Sequence, residues 1–420
     1  MAAPRRVLIV TQYFWPETGA PQVRYDAIAR ALVEVGVSVD VLTGIPNYPT
    51  GRVASGYSAW LPRVESRNGV TIHRLPLFAY GGPSKWLRLL NHGSLATTAF
   101  AGMFMDLRSD VVVVESPPLP LVLPAAAIAR RSGAPLVMFC ADLWPGVPLA
   151  MGALHEGSVA DRLRDLETWC YRSAWRITVP TDGLFATLAA HPAVGPEKLL
   201  LLPNGVDTSV FRPYDTVTCE RQRARLTPLD QRELFMYAGT IGHAQALDTI
   251  IDAAALLRDD PRIGFVLLGD GPERARLESR ARALGLENLR FLGSVPPEEV
   301  ARYLAFARAT IAPLRDVALF SATRPAKVLP SLACGKPVIF AGRGEMGAIL
   351  EREGCGIVVA PEDPAALVAA VSRLAGDGAA AQAMGERGRA LALHEFDFGV
   401  LVRRWWDALS EAPRPRVRGS

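Results

Sequence analysis

Unbroken apolar runs recur along this chain, with helix-spaced stretches between them. VVVV at Val111–Val114 and LVMF at Leu136–Phe139 are apolar at every position. A strand that is apolar at every position is buried on both faces. When such strands alternate with helices, the expected arrangement is a parallel sheet covered by helices on both sides. One series of strands is expected at Arg6–Phe14, Val37–Thr43, Val70–Leu77, Val111–Val114, Pro135–Cys140, Ile177–Pro180 and Leu199–Leu202. A second is expected at Glu233–Thr240, Phe265–Gly269, Leu289–Leu292, Thr310–Leu314, Pro337–Phe340 and Ile357–Ala360. Helical spacing marks Gln22–Val35, Ala246–Arg258, Pro272–Leu284, Glu298–Phe306, Pro364–Leu374 and Phe398–Leu409.

Two series in 420 residues predict two α/β domains, since a single core rarely grows so large. The join is expected around Pro203–Gln231, where a PNGVD turn is followed by prolines and the charged run ERQRAR. The expected division is 1–205, 206–396, a helix over 397–411 that crosses back to the first domain, and a disordered tail over 412–420.

Bulk properties exclude several classes. A net charge of +4 spread along the chain is no nucleic-acid signature. The five cysteines form no CxxC pair, which argues against a zinc or redox motif and suits a reducing cytoplasm. The amino terminus reads straight into a strand and lacks a cleavage region, so no signal peptide is expected. Neither HExxH nor a spaced carboxylate cluster is present, and no catalytic metal or other cofactor is expected. The longest uncharged helical stretch, Leu89–Met105, is too short and polar to span a membrane, and reads as a buried or interfacial helix.

In open α/β domains ligands bind outside the carboxyl ends of the strands, so the loops there are the candidates for chemistry. In QYFWPETGAPQVR, Gly19 permits close backbone approach, with Glu17 and Arg24 as polar groups; a plain Gly/Pro turn is the alternative. In ADLWP, Asp142 stands at a strand end, either as a functional group or as a helix cap. In AGTIGHAQALD, Gly239 and Gly242 flank a turn that could cradle a diphosphate through backbone N–H groups, with His243 as an added donor or merely exposed. In LLGDGPERARLE, Gly269 and Gly271 bracket Asp270 in a tight strand–helix turn. In FSATRPAKVLPSLACGKPVIF, Arg324 and Lys327 could neutralise a diphosphate, or be solvated surface charges. Pro330 requires a helix that starts near it or is kinked.

Taken in order, these motifs resemble the retaining GT-B glycosyltransferases of family 4, in the branch that builds bacterial surface polysaccharides, similar to the colanic acid and O-antigen fucosamine transferases. The carriers are QYFWPETGAPQVR, IPNYPTGRVASGY, ADLWP, LPNGVDTSVF, YAGTIGHAQALDTIIDAA, LLGDGPERARLE, RFLGSVPPEEV and RPAKVLPSLACGKPVI, spread from Arg6 to about Leu409. The resemblance implies two Rossmann-like domains with parallel sheets facing across a cleft. It also implies transfer of a sugar, with retention and no metal, from a nucleoside-diphosphate sugar, expected to be a UDP-sugar, to a glycan or lipid-linked acceptor. By that resemblance Asp142 and Glu17 are catalytic, and Arg24 and Tyr48 lie on the acceptor side. Arg324, Lys327, Gly19, Gly239 and Thr240 hold the diphosphate. Gly269, Asp270, Leu292 and Pro330 take the nucleotide, and Glu345 and His243 the donor sugar.

The sequence also departs from that family. Pro330 replaces the glutamate that grips the ribose, Ala322 stands where a second glutamate is common, and Thr240 and Gln245 replace a basic pair. ADLWPG, with Ala141 and Gly146, stands for RDLWPE. These changes keep two other readings open, a non-catalytic nucleotide-sugar-binding or scaffolding relative and a nucleotide-sugar epimerase. The expected location is cytoplasmic, with peripheral membrane contact considered for Gly81–Arg108. There Lys85, Arg88 and Arg108 flank Trp86, Leu87, Leu89, Leu90, Phe100 and Phe104. A core helix with Trp86 packed inside is the slightly favoured alternative.

Overall fold

The computed structural model describes residues 6–17, 20–48, 50–82, 84–146, 149, 156–317 and 325–412. The expectations for Gly19, Ala322, Arg324 and the tail beyond residue 412 therefore lie outside the described residues. The chain divides into two compact units. One runs up to Pro203 and resumes at Leu401, and the other is Asn204–Val400.

The first unit contains β1 (Arg6–Val10), α1 (Ala20–Glu34), β2 (Ser38–Gly44), β3 (Arg63–Arg67), β4 (Val70–Leu75), α2 (Lys85–Thr98), β5 (Val111–Ser116), α3 (Val122–Ser132), β6 (Leu136–Cys140), α4 (Ser158–Ser173), β7 (Arg176–Val179), α5 (Asp182–Ala189) and β8 (Leu199–Leu201). Its sheet has the order β3-β4-β2-β1-β5-β6-β7-β8. All pairs are parallel except the edge pair β3–β4. Strand β3 has no counterpart in the sequence reading. Its residues RVESR are mostly exposed, so they carry no apolar pattern, and the turn at Asn68–Gly69 (φ +51° and +79°) returns the chain as a hairpin.

The unbroken apolar runs are explained by the period of two along a strand. Val111 and Val113 enter one apolar cluster with Val7, Ile9, Val137 and Phe139. Val112 and Val114 enter another, on the opposite face, with Leu8, Val10 and Met138. Both faces are thus dry, and a polar residue at any of these positions would lack a partner.

The second unit contains α6 (Thr216–Ala224), β9 (Glu233–Ala238), α7 (Asp248–Leu256), β10 (Ile263–Leu268), α8 (Arg274–Ala283), β11 (Leu289–Leu292), α9 (Pro297–Ala305), β12 (Ala309–Pro313), α10 (Val328–Ala333), β13 (Val338–Ala341), α11 (Glu345–Arg352), β14 (Gly356–Val359), α12 (Pro364–Gly376) and α13 (Gly378–Leu391). Its sheet, β11-β10-β9-β12-β13-β14, is parallel throughout. Pro330 sits in the first turn of α10, where its missing N–H costs nothing because no carbonyl one turn back requires it.

Helix α14 (Phe398–Glu411) carries the chain back into the first unit. Leu401, Val402, Trp405, Trp406 and Leu409 are buried with Tyr25, Ile28 and Phe139. The Trp405 indole N–H donates to Thr178 Oγ1 at 2.9 Å, so its one polar atom is satisfied in the core.

Candidate functional site

Each sheet has one place where its strand order turns outward in both directions. In the first unit it lies between β1 and β5, in the second between β9 and β12. Such switch points open a crevice at the carboxyl ends of the strands, because the following loops diverge to opposite faces.

In the second unit the loops after β9 and β10 meet with almost no space between them. A Cβ on Gly269, whose φ is +142°, would lie 1.9 Å from the carbonyl oxygen of Gly239. One on Gly271 would lie 2.3 Å from that of Ile241. Gly239 N–H donates to Leu268 O at 2.9 Å, and Ile241 N–H to Asp270 O at 2.8 Å. These glycines bring two backbones together beside a cavity of about 300 Å3. Its lining includes Gly239, Thr240, Gly269, Asp270, Lys327 and Pro330, six of the residues singled out in the sequence.

Lys327 is the cation of that cavity. Its Nζ lies 5.1 Å from the centre of the buried Tyr237 ring and donates to the Tyr237 hydroxyl at 3.3 Å. The Tyr237 hydroxyl donates onward to Thr240 O at 2.5 Å. Among the described residues no carboxylate pairs with Lys327. Burial without a counter-charge brings its pKa down to about 8. An anion entering the cavity would supply the missing charge.

Three expected donor-side residues do not line this cavity. His243 is mostly exposed, and its Nδ1 lies 3.7 Å from Glu273 Oε2. Leu292 contributes its carbonyl to Gly269 N–H and to Arg274 Nη1, bracing the loop from outside. Glu345 stands half-buried in the first turn of α11, beyond β13. Asp270 does reach the cavity, but its Oδ1 accepts the Gly271 N–H at 2.7 Å and so shapes the turn. The opposite wall, Ser294, Val295, Val300 and Leu304, was missed because it comes from RFLGSVPPEEV and α9, where the residue types carry no chemical signal.

In the first unit Glu17 is 9% exposed, and both its oxygens are occupied. Oε1 accepts from Asn47 N–H and Tyr48 N–H at 2.8 Å each, and Oε2 from Phe14 N–H at 3.1 Å. Desolvation nevertheless raises its pKa, against those three bonds. The expected catalytic carboxylate therefore ties the loops after β1 and β2 together. A second tie, Arg74, is 1% exposed, pairs with Glu65 and donates to the carbonyl of Trp15.

Asp142 follows β6 and is exposed, and its carboxylate caps no helix among the described residues. Desolvation raises its pKa, and the nearby Arg24 charge opposes the rise. Arg24 itself is 8% exposed, with its guanidinium 4.7 Å from the Phe139 ring centre. Tyr48 is half-exposed, its ring 5.2 Å from that of Tyr13.

Sequence reading missed Glu115, the last but one residue of β5. It is 3% exposed and accepts from Thr11 Oγ1 at 2.5 Å and Gln12 N–H at 3.2 Å. The available signal was a carboxylate directly after VVVV, at a strand's carboxyl end. Asn91 of α2, which accepts from Gln12 Nε2 at 3.2 Å and donates to Phe78 O at 2.6 Å, gave no such signal. Among the described residues no group of three His, Cys, Asp or Glu could hold a metal ion.

Comparison with known proteins agrees with this architecture. Residues 19–205 match the glycosyl transferase 4-like domain and residues 219–391 the glycosyl transferases group 1 family. The chain is 28% identical over 348 residues to the colanic acid biosynthesis glycosyl transferase WcaI of Escherichia coli, covering 81% of this chain and 84% of that protein. It is 28% identical over 426 residues to the GDP-mannose-dependent alpha-(1-6)-phosphatidylinositol monomannoside mannosyltransferase of Mycolicibacterium smegmatis, covering 96% and 98%. The fold is similar to that of HepE from Anabaena, solved in complex with UDP and glucose, at a TM-score of 0.69 and 15% identity over 96% of this chain and 99% of that one. With a family model on each of its two parallel-sheet units, this chain belongs to the GT-B glycosyltransferases of family 4.

Proposed function

We propose that this glycosyltransferase moves a sugar from a UDP-sugar to a glycan or lipid-linked acceptor with retention of configuration, and that it needs no metal. The observation that carries the donor reading is Lys327, a half-buried cation with no carboxylate partner among the described residues, beside the cavity formed by Gly239 and Gly269. Fixed cations and backbone N–H groups stabilise the charge that develops on a leaving diphosphate, which is the task a metal performs elsewhere. Retention follows if a phosphate oxygen of the leaving group takes the acceptor proton on the face it departs from. Asp142, with Arg24 beside it, is the polar group to orient the acceptor hydroxyl. Arg324, Gly19, Glu345 and His243 remain donor-side candidates under the same reading.

UDP is preferred because HepE was solved with UDP; the GDP-mannose-dependent relative makes GDP the competing donor base. Titration calorimetry with UDP, GDP and uridine tests this. UDP is expected to bind at least about tenfold tighter than uridine, in line with a charge-assisted contact, and tighter than GDP if uracil is the base recognised. Equal affinity for UDP and uridine would remove the diphosphate cradle. Donor consumption without transfer, yielding an isomerised nucleotide sugar, would favour an epimerase. Binding without any consumption would favour a non-catalytic relative.

The lipid-linked acceptor draws support from α2. Trp86 is 78% exposed there, with Leu87, Leu89 and Leu90 exposed beside it and Phe104 at 85% beyond the helix. Trp86 is thus not the packed core residue that the favoured sequence reading expected. No helix among the described residues is long and apolar enough to cross a membrane. Exposed Trp and Leu next to Arg88 suit the interfacial plane of an anionic bilayer. Flotation with anionic vesicles is expected at low salt and to be lost with Lys85→Glu plus Arg88→Glu. Absence of flotation at low salt would make a soluble acceptor the better reading.

A further inference from the structure

The loop after β1 holds a proton that the donor chemistry does not use. Thr11 Oγ1 stands 2.5 Å from Glu115 Oε2 and 3.1 Å from the Tyr13 carbonyl oxygen. A hydroxyl has one hydrogen and can serve only one of them. If Glu115 is a carboxylate, Thr11 donates to it and the Tyr13 carbonyl goes without. If Glu115 is the acid, its own O–H donates to Thr11, and Thr11 donates to Tyr13. Only the acid satisfies both acceptors. In either form Oε2 can accept the Gln12 N–H.

The surroundings favour the same form. Glu17 and Tyr13 face Glu115 from the loop, and Arg24 and Tyr25 from α1. On β6 its register partner is Phe139, and α2 reaches it through Asn91 and Gln12. Burial, joined by Glu17, outweighs Thr11, Gln12 and Arg24 and pushes the pKa up to about 7.

We propose that Glu115 is a positioning residue for glycosyl transfer: as the carboxylic acid it fixes Thr11 and Tyr13, and with them the Tyr13–Tyr48 pair, and its ionisation releases that loop. The inference rests on the reading that this loop shapes the acceptor side. For an acid whose pKa is raised on folding, the stabilisation is complete below the unfolded value of about 4.5 and is lost as pH rises through about 7.

Thermal melts of wild type, Glu115→Gln and Glu115→Leu from about pH 5 to about pH 9 test it without any substrate. The glutamine amide donates to Thr11 as the acid does, and it cannot ionise. Relative to Glu115→Gln, wild type should lose about 5 °C or more as pH rises from about 5 to about 7 and stay level above that, while Glu115→Leu is low at every pH. A wild-type infrared difference spectrum across the same range should lose a protonated-carboxyl band that Glu115→Gln lacks. Parallel melts for wild type and Glu115→Gln, or no such band, would overturn the proton assignment. With the donor identified by calorimetry, wild-type kcat should fall above pH 7 while Glu115→Gln stays flat. A flat wild-type kcat over falling melts confines Glu115 to stability and overturns the positioning role. The melts and the band need no acceptor, so failure of the acceptor reading leaves them standing.

Discussion

Replacing Glu17 separates a chemical carboxylate from a structural one. Glu17→Ala removes the acceptor for the N–H groups of Phe14, Asn47 and Tyr48. Phe14 and Asn47 are buried, at 1% and 4% exposure, whereas Tyr48 is half-exposed and its N–H can turn to water. Two orphaned buried donors cost about 1–3 kcal/mol each, and the burial cost of the charge is recovered, so the net loss is about 3 kcal/mol. Glu17→Gln keeps the oxygen facing Asn47 and Tyr48 and sets an amide N–H2 against the Phe14 N–H. One donor is orphaned instead of two, for a loss of about 1–2 kcal/mol. At about 2–4 °C per kcal/mol for a unit of this size, Glu17→Ala should melt roughly 6–12 °C below wild type, with Glu17→Gln between them. Circular dichroism melts with a nucleotide titration in parallel give the ordering. Two variants that melt within about 2 °C of wild type and have lost turnover equally would refute the tie and restore Glu17 to the chemistry.

Gly269→Ala should destabilise the second unit by roughly 2–5 kcal/mol, since its Cβ meets the Gly239 carbonyl at 1.9 Å. Gly285→Ala, with positive φ but nothing within 4 Å, should cost only about 1–2 kcal/mol; equal melting temperatures would contradict the close approach. Lys327→Met should weaken UDP roughly 10–100-fold and leave uridine unchanged by calorimetry. In wild type, UDP affinity should fall as pH rises through about 8, where the ammonium is lost, and a flat profile would place Lys327 outside the diphosphate contact. Asp142→Asn should lower turnover with UDP affinity intact, and unchanged turnover in the folded variant removes it from the mechanism.

The layout of both sheets was legible because burial on two faces leaves a mark at every residue of a strand. VVVV and LVMF could hardly be anything but central strands. Strand β3 was invisible for the opposite reason: at the sheet edge RVESR meets water on most sides, and only its pairing with β4 makes it a strand. The second unit's cavity was legible because glycine and lysine do there what only they can do. The first unit's polar network was not, because Glu115, Asn91 and Asn47 reach partners up to 104 residues away in sequence. Glu17 was legible as a carboxylate in the right loop, but its contacts were not: nothing in ETGA says that the backbone of NY, a strand away, will take one of its oxygens and Phe14 the other.

The route of the chain sets an order of completion. The first unit buries Tyr25, Ile28 and Phe139 against a helix that belongs to it from Leu401 onward, yet Asn204–Val400 is made in between. During synthesis the first sheet therefore waits, one apolar face uncovered, until the second unit has been translated. A fragment ending at Pro203 would carry that face permanently, with Thr178 deprived of the Trp405 indole. Expressed alone it should aggregate, and adding the α14 segment as a separate peptide should rescue it. The two units are thus unequal as pieces: the inserted one has its whole core within a continuous stretch of chain, while the outer one becomes whole only once α14 has been made.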